Sequence, residues 1–113
     1  MSDDRSELEE GLKAKHGEVF CAEFEDVGGV KVQVYFRCPT RAESDRFKAK
    51  AFDDKNPKKQ AEGADELGRC VVVHPPREAF DAFVDRRPMV PAIIAGEANQ
   101  VASGKGSDLG KRL

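Results

Sequence analysis

The sequence predicts an α+β fold, an N-terminal antiparallel β-hairpin followed by a bundle of about four short α-helices, and three observations predict it. Apolar and polar residues alternate from Phe20 to Phe36, the period of a pleated strand with one buried face. Beyond Thr40 the apolar residues recur instead at helical spacing. From Cys70 to Pro88, CVVVHPPREAFDAFVDRRP, an apolar run meets Pro75 and Pro76 and restarts as an amphipathic segment, so two helices joined by a rigid corner are expected.

The elements follow in chain order. Ser6 as N-cap with Glu9 three residues on predicts a short opening helix over 6–15, weakened by Gly11. Phe20, Ala22 and Phe24 then share a strand face, as do Val30, Val32, Val34 and Phe36, with Cys21 on the odd, outward side. Pairing Phe24 with Val30 and Ala22 with Val32 aligns the apolar sets and leaves Asp26-Val27-Gly28 as a three-residue loop. Pro39 ends the second strand, and Thr40-Arg41-Ala42-Glu43 is a capping box opening a helix to about Phe52, with Phe47 and Ala51 toward the core. After the polar break Asp53-Asp54-Lys55-Asn56-Pro57, a stripe of Ala61, Ala64, Leu67, Gly68, Val71 and Val72 marks the next helix, which Gly63 and Gly68 weaken by roughly 1 kcal/mol each. That helix is expected to run through Val71–Val73 and stop near His74. Pro76 opens a helix with Ala79, Phe80, Phe83 and Val84 on one side and Arg77, Asp81, Asp85 and Arg86 on the other. A last helix, near 88–101, carries Val90, Ile93, Ile94, Ala98 and Val101.

A chain of 113 residues fits one domain, here 1–102 with the hairpin about 18–37 and helices about 41–101, followed by a flexible tail over 103–113 rich in Gly, Ser and Lys. Seven Phe and no Trp supply a few large core anchors, while 35% charged residues describe a well-solvated exterior. No apolar run approaches the roughly 20 residues of a membrane span. Met1 to Glu10 is acidic and polar, unlike a signal peptide, so the protein is expected to remain in the cytoplasm.

Net charge is -2, which gives no global field for nucleic acid. Seven bases between Arg41 and Gln60 outnumber four acids, but no aromatic alternates with them as a stacking platform requires, and a solvated helix face explains them better. Cys70 and His74 would stand one turn apart on an unbroken helix, the spacing of a metal pair. Against a metal, Cys21 and Cys38 lie on opposite hairpin faces and His74 precedes proline, so three buried or half-buried thiols are expected instead. In the expected register His16 stands opposite Cys38, a nucleophile-and-base pairing at a frayed strand end. Gly28-Gly29 and Gly104-Lys105-Gly106-Ser107 do not match a phosphate loop. No catalytic residue, metal or cofactor is assigned.

Three stretches carry a family resemblance: VYFRCPTRAESDRF (Val34 to Phe47), RCVVVHP (Arg69 to Pro75) and REAFDAFVDRRP (Arg77 to Pro88). Together they cover about half the chain, and their order resembles the small tail assembly chaperones of tailed bacteriophages and related prophage elements. The resemblance implies a non-enzymatic protein of the host cytoplasm that coats the long, aggregation-prone tape-measure protein, helps recruit tail-tube subunits around it, and leaves before the virion is complete. It also implies a short and a frameshifted long form, with the 103–113 end as the point of extension. A groove between amphipathic helices is the usual way to shield the apolar stripe of a long helix. Val71, Val72, Val73, Phe80, Phe83, Val90, Ile93 and Ile94 are the residues expected to line or support it, and the same eight could equally make the monomer core. The expected partners are the tape-measure and tail-tube proteins, with self-association allowed and no membrane. Two alternatives remain, a structural tail or neck component of the virion and a small nucleic-acid-binding regulator using the Arg41–Gln60 face.

Overall fold

The computed structural model describes residues 2–53 and 55–113, so Met1 and Asp54 of the polar break lie outside the described residues. The fold is α+β, with five α-helices and a four-stranded antiparallel sheet, in the order β3-β2-β1-β4, among the described residues. A helix leads the chain and the hairpin follows it, so the hairpin is not the N-terminal element. Helix α1 (Ser2–His16) begins four residues before the expected Ser6 cap, because nothing in Ser2–Leu8 breaks a helix and an Arg5–Glu9 pair at 3.2 Å supports one face. It ends where Gly17, at φ 77°, donates its N–H to the Lys13 carbonyl at 2.8 Å, a left-handed cap open to glycine.

Strands β1 (Val19–Glu25) and β2 (Lys31–Arg37) form the predicted hairpin in a register shifted by two residues. Phe24 pairs with Val32 and Ala22 with Val34, a shift that preserves which side chains share a face. The turn chemistry sets the shift. Val27, Gly28 and Gly29 form the loop, both glycines take positive φ (77° and 80°), and Asp26 N–H closes it onto the Val30 carbonyl at 2.7 Å. The expected pairing would have placed Gly29 on the ladder, where its left-handed backbone does not fit.

Helix α2 (Arg41–Ala51) opens on the predicted capping box, with Thr40 and Glu43 each satisfying the other's backbone N–H. Helix α3 (Pro57–Val71) is capped by Asn56 and starts on proline. It stops three residues earlier than expected, and Val72–His74 forms strand β3 against β2. β-branched valines and a pre-proline histidine favour extended backbone, and the open edge of β2 supplies the ladder that holds it. Helices α4 (Arg77–Arg86) and α5 (Val90–Ala102) complete the bundle. Phe80, Phe83 and Val84 of α4 are buried as predicted, but Ala79 is exposed.

The even sheet face, Phe20, Ala22, Val34 and Phe36, meets Leu67, Val71, Phe80, Phe83 and Ile94 in the main core. The odd face is covered at the Val19, Cys21 and Tyr35 end and open at Glu23, Glu25 and Lys31. Val19, Cys21 and Tyr35 form a second cluster with Leu12, flanked by Leu8, Val73 and Leu113, because α1 lies across that side. Within the segment expected to be a tail, Lys111–Arg112 forms strand β4 on β1, and Leu113 N–H bonds to the Val19 carbonyl at 3.0 Å. Composition concealed this, since Gly110 is required for close passage over the Phe36 ring, where a Cβ would come within 2.7 Å. Arg112 then lies 5.6 Å from the centre of the Phe20 ring and pairs with Glu18. Among the described residues no helix is long and apolar enough to cross a membrane.

Candidate protein-binding surface

Most of the eight residues expected at a binding groove belong to the interior. Val71, Phe80, Phe83, Val90 and Ile94 are sealed in the main core. Val72 and Val73, now on β3, are half-buried against opposite sheet faces, Val72 toward the main core and Val73 toward the second cluster. Ile93 alone of the eight is exposed, at 42%. The helical stripes therefore serve chiefly to close the monomer, and of the eight only Val90 and Ile93 border an open apolar groove.

Two open grooves flank α5. The first, of about 270 Å³, lies between the end of the hairpin and the α4–α5 corner, walled by Phe24, Pro88, Met89, Val90 and Ile93. Met89 is 66% exposed and stands one helical turn before Ile93, so the two extend this apolar wall onto the outside of α5. Arg86 and Arg87 form its rim. Arg86 makes a two-pronged pair with Asp26 (3.0 and 2.9 Å), which holds the Asp26 carboxyl below its usual range. Arg87 donates Nε to the Glu25 carbonyl at 2.9 Å and locks the corner to the hairpin.

The second groove, of about 330 Å³, lies between α2 and the C-terminal half of α5, walled by Ser44, Phe47, Phe52, Asn99 and Ala102 with Lys48 at its edge. Phe52, just past the end of α2, is 73% exposed. Sequence reasoning missed Met89, Phe24 and Phe52 as surface groups. The Met89–Ile93 spacing was a usable signal, since it falls on the flank of α5 turned away from Ile94 and Ala98.

The chemistry-bearing groups are engaged structurally. Cys21 is buried and Cys38 and Cys70 are half-buried, all three free, and burial pushes the Cys21 and Cys38 thiols up, away from a reactive thiolate. His16 and Cys38 are not brought together, because His16 ends α1 and the register sets Val19 opposite Arg37. Cys70 lies on α3 and His74 on β3, where it stacks edge-on to Tyr35 with ring centres 5.8 Å apart. Among the described residues no group of three or more His, Cys, Asp or Glu could hold a metal ion. On the basic segment Arg46 and Lys50 both pair with Glu66, and Lys59 pairs with Asp53, so three of its seven bases are engaged in ion pairs. No family model, curated protein or solved structure matches this chain.

Proposed function

We propose that this chain is a non-enzymatic protein-binding adaptor, a tail assembly chaperone of the host cytoplasm that holds the apolar face of a tape-measure helix and promotes tail-tube assembly. The observation that carries the reading is the open apolar groove at Phe24, Met89 and Ile93, three large side chains that the monomer leaves without full cover beside a filled core. An amphipathic helix buries such a face with its i, i+3 and i+4 side chains. The resemblance over Val34–Phe47, Arg69–Pro75 and Arg77–Pro88 supplies the phage context. On the basic segment three of seven bases are held in ion pairs and no aromatic alternates with them, which weighs against a nucleic-acid partner.

Co-expression with a phage tape-measure protein, taken from a long helical reading frame next to this gene where one is found, is the direct test. The tape-measure protein is expected to remain soluble and co-purify with the chain, and Met89→Glu with Ile93→Glu is expected to abolish both effects while the variant stays folded. Retention of co-purification in that folded variant would overturn the groove assignment. Mass spectrometry of purified particles separates a chaperone, absent from them, from a structural tail or neck component present in many copies.

A further inference from the structure

The glycines of the helices differ in their reasons for being there. Gly63 and Gly68 of α3 are required by packing, since a Cβ would come within 2.9 Å of the Lys50 Cβ and 1.9 Å of the Pro91 carbonyl oxygen respectively. Gly96, inside α5, has no such reason: it is exposed, and a Cβ there would meet nothing within 4 Å. Glycine weakens a helix interior relative to alanine, so the monomer loses stability at this position without any gain in packing. Gly11 of α1 is equally open, but its helical neighbours Leu8 and Leu12 turn inward and no exposed large apolar side chain borders it. Gly96, by contrast, lies on the same exposed face as Met89 and Ile93, seven and three residues before it, and Ser103, seven residues after it. The first groove opens on one flank of that face near the start of α5, and the second on the opposite flank near its end.

We propose that the outer face of α5 is a helix-docking track. An amphipathic helix crosses it at Gly96, seats one apolar anchor between Phe24, Met89 and Ile93 and a second beside Phe47 and Phe52, and sets a carboxylate against Lys48. Ile93 and Ser103 are ten residues apart, about 15 Å along α5, so the two anchors stand roughly three turns apart on the partner. The missing side chain at Gly96 lets the two helix backbones approach at the crossing, as small residues do wherever helices pack closely. Charge selects the partner at one end only. Arg87 at the first groove is offset by Glu25 in the same wall, whereas Lys48 forms no ion pair among the described residues and its groove is lined by no carboxylate. The occupant is thus a helix of at least three turns with an apolar stripe and an acidic border.

This rests on the adaptor reading above only in taking a helix as the client. The test uses the full chain and a fluorescein-labelled synthetic helix with leucines at helical spacing bordered by glutamates, against the same leucines bordered by lysines, read by fluorescence anisotropy at low salt. The glutamate-bordered peptide is expected to bind more tightly by roughly two- to five-fold, the scale of one exposed ion pair, and Lys48→Glu is expected to reverse the preference. Gly96→Gln is expected to weaken binding about ten-fold while leaving the melting temperature unchanged or higher. Unchanged affinity in Gly96→Gln, or no charge preference, overturns the track. Absence of peptide binding together with a dimer that Gly96→Gln dissociates overturns it in favour of a second copy as occupant. Peptide binding without tape-measure co-purification leaves the track standing and removes only the tail-assembly role, and the converse result removes the track alone.

Discussion

The carbonyl of Pro91 occupies the space that a side chain at Gly68 would fill, with its oxygen 1.9 Å from the position of a Cβ. Helices α3 and α5 therefore meet backbone to backbone, and the main core closes around Leu67, Val71, Val90 and Ile94 on either side of that contact.

Gly68→Ala is expected to destabilise the fold by about 1–3 kcal/mol, because backbone on both helices must move to admit one methyl group. Gly96→Ala is expected to do the reverse, raising stability by about 0.5–1 kcal/mol through helix propensity at an open position. Urea unfolding of the two variants beside the parent chain measures both. Equal and small effects would contradict the close approach of α3 and α5.

Tyr35, the single tyrosine of the chain, is buried beneath α1 and donates its hydroxyl to Glu9 at 3.0 Å. Burial, and then the Glu9 hydrogen bond, push its pKa from 10.0 up to about 12. The neutral phenol is the form the fold favours. Its contribution is complete below the ordinary value near 10.0 and is lost as pH rises toward about 12. Absorbance at the phenolate band reads this group without interference from another tyrosine. The phenolate is expected to appear near 12, or abruptly with unfolding, and Glu9→Gln is expected to lower the midpoint. A midpoint at the ordinary value would show that α1 does not cover the sheet.

Arg37, at the end of β2, grips both oxygens of Glu43 at 2.7 and 2.8 Å and donates to the Cys70 carbonyl at 3.1 Å, so one guanidinium ties the sheet to α2 and α3. The Arg37 hydrogen bonds hold the Glu43 pKa at about 2, below its ordinary 4.5. A carboxylate depressed in this way stabilises the fold above pH 4.5, and that contribution disappears as pH falls through about 2. Glu43→Gln is expected to lower stability by about 2 kcal/mol at neutral pH, the scale of hydrogen bonds to a charged group. The gap between variant and parent should close as the pH of the unfolding experiment is lowered across that window. A gap independent of pH would assign the loss to packing alone.

What was legible in the sequence was whatever local chemistry determines. The alternation from Phe20 to Phe36 fixed which strand residues share a face, and the Thr40–Glu43 spacing fixed the start of α2. Register depended on which glycines take positive φ, and with Gly28 and Gly29 adjacent the pattern allowed two pairings that differ by two residues. Longer-range partners were hidden. Val72–His74 reads as the end of an apolar helix until the edge of β2 is there to receive it, and Lys111–Arg112 reads as a tail until β1 is. The candidate surface was legible only in part for a related reason: apolar stripes mark chiefly what a helix buries, so of the eight candidate residues only Val90 and Ile93 border an open groove, and Met89, just ahead of α5, was left off the stripe.

The last residues carry the sharpest contrast between composition and structure. Leu113 enters the second apolar cluster, Gly110 passes over Phe36, and Arg112 covers the Phe20 ring while pairing with Glu18 at 3.3 Å. Ending the chain after Gly106 removes all three contacts and uncovers the edge of β1 at Phe20 and Cys21. The expected loss is about 2–4 kcal/mol, most of it from the Leu113 side chain and the ladder hydrogen bonds. An uncovered strand edge also invites pairing with other chains, so the truncated protein is expected to aggregate at lower temperature than the parent. Arg112→Ala isolates the exposed part of this anchorage and is expected to lower stability by only about 0.5–1 kcal/mol. Thermal unfolding with light scattering measures both variants. A truncated chain as stable and as soluble as the parent would mean that residues 107–113 contribute nothing to the fold.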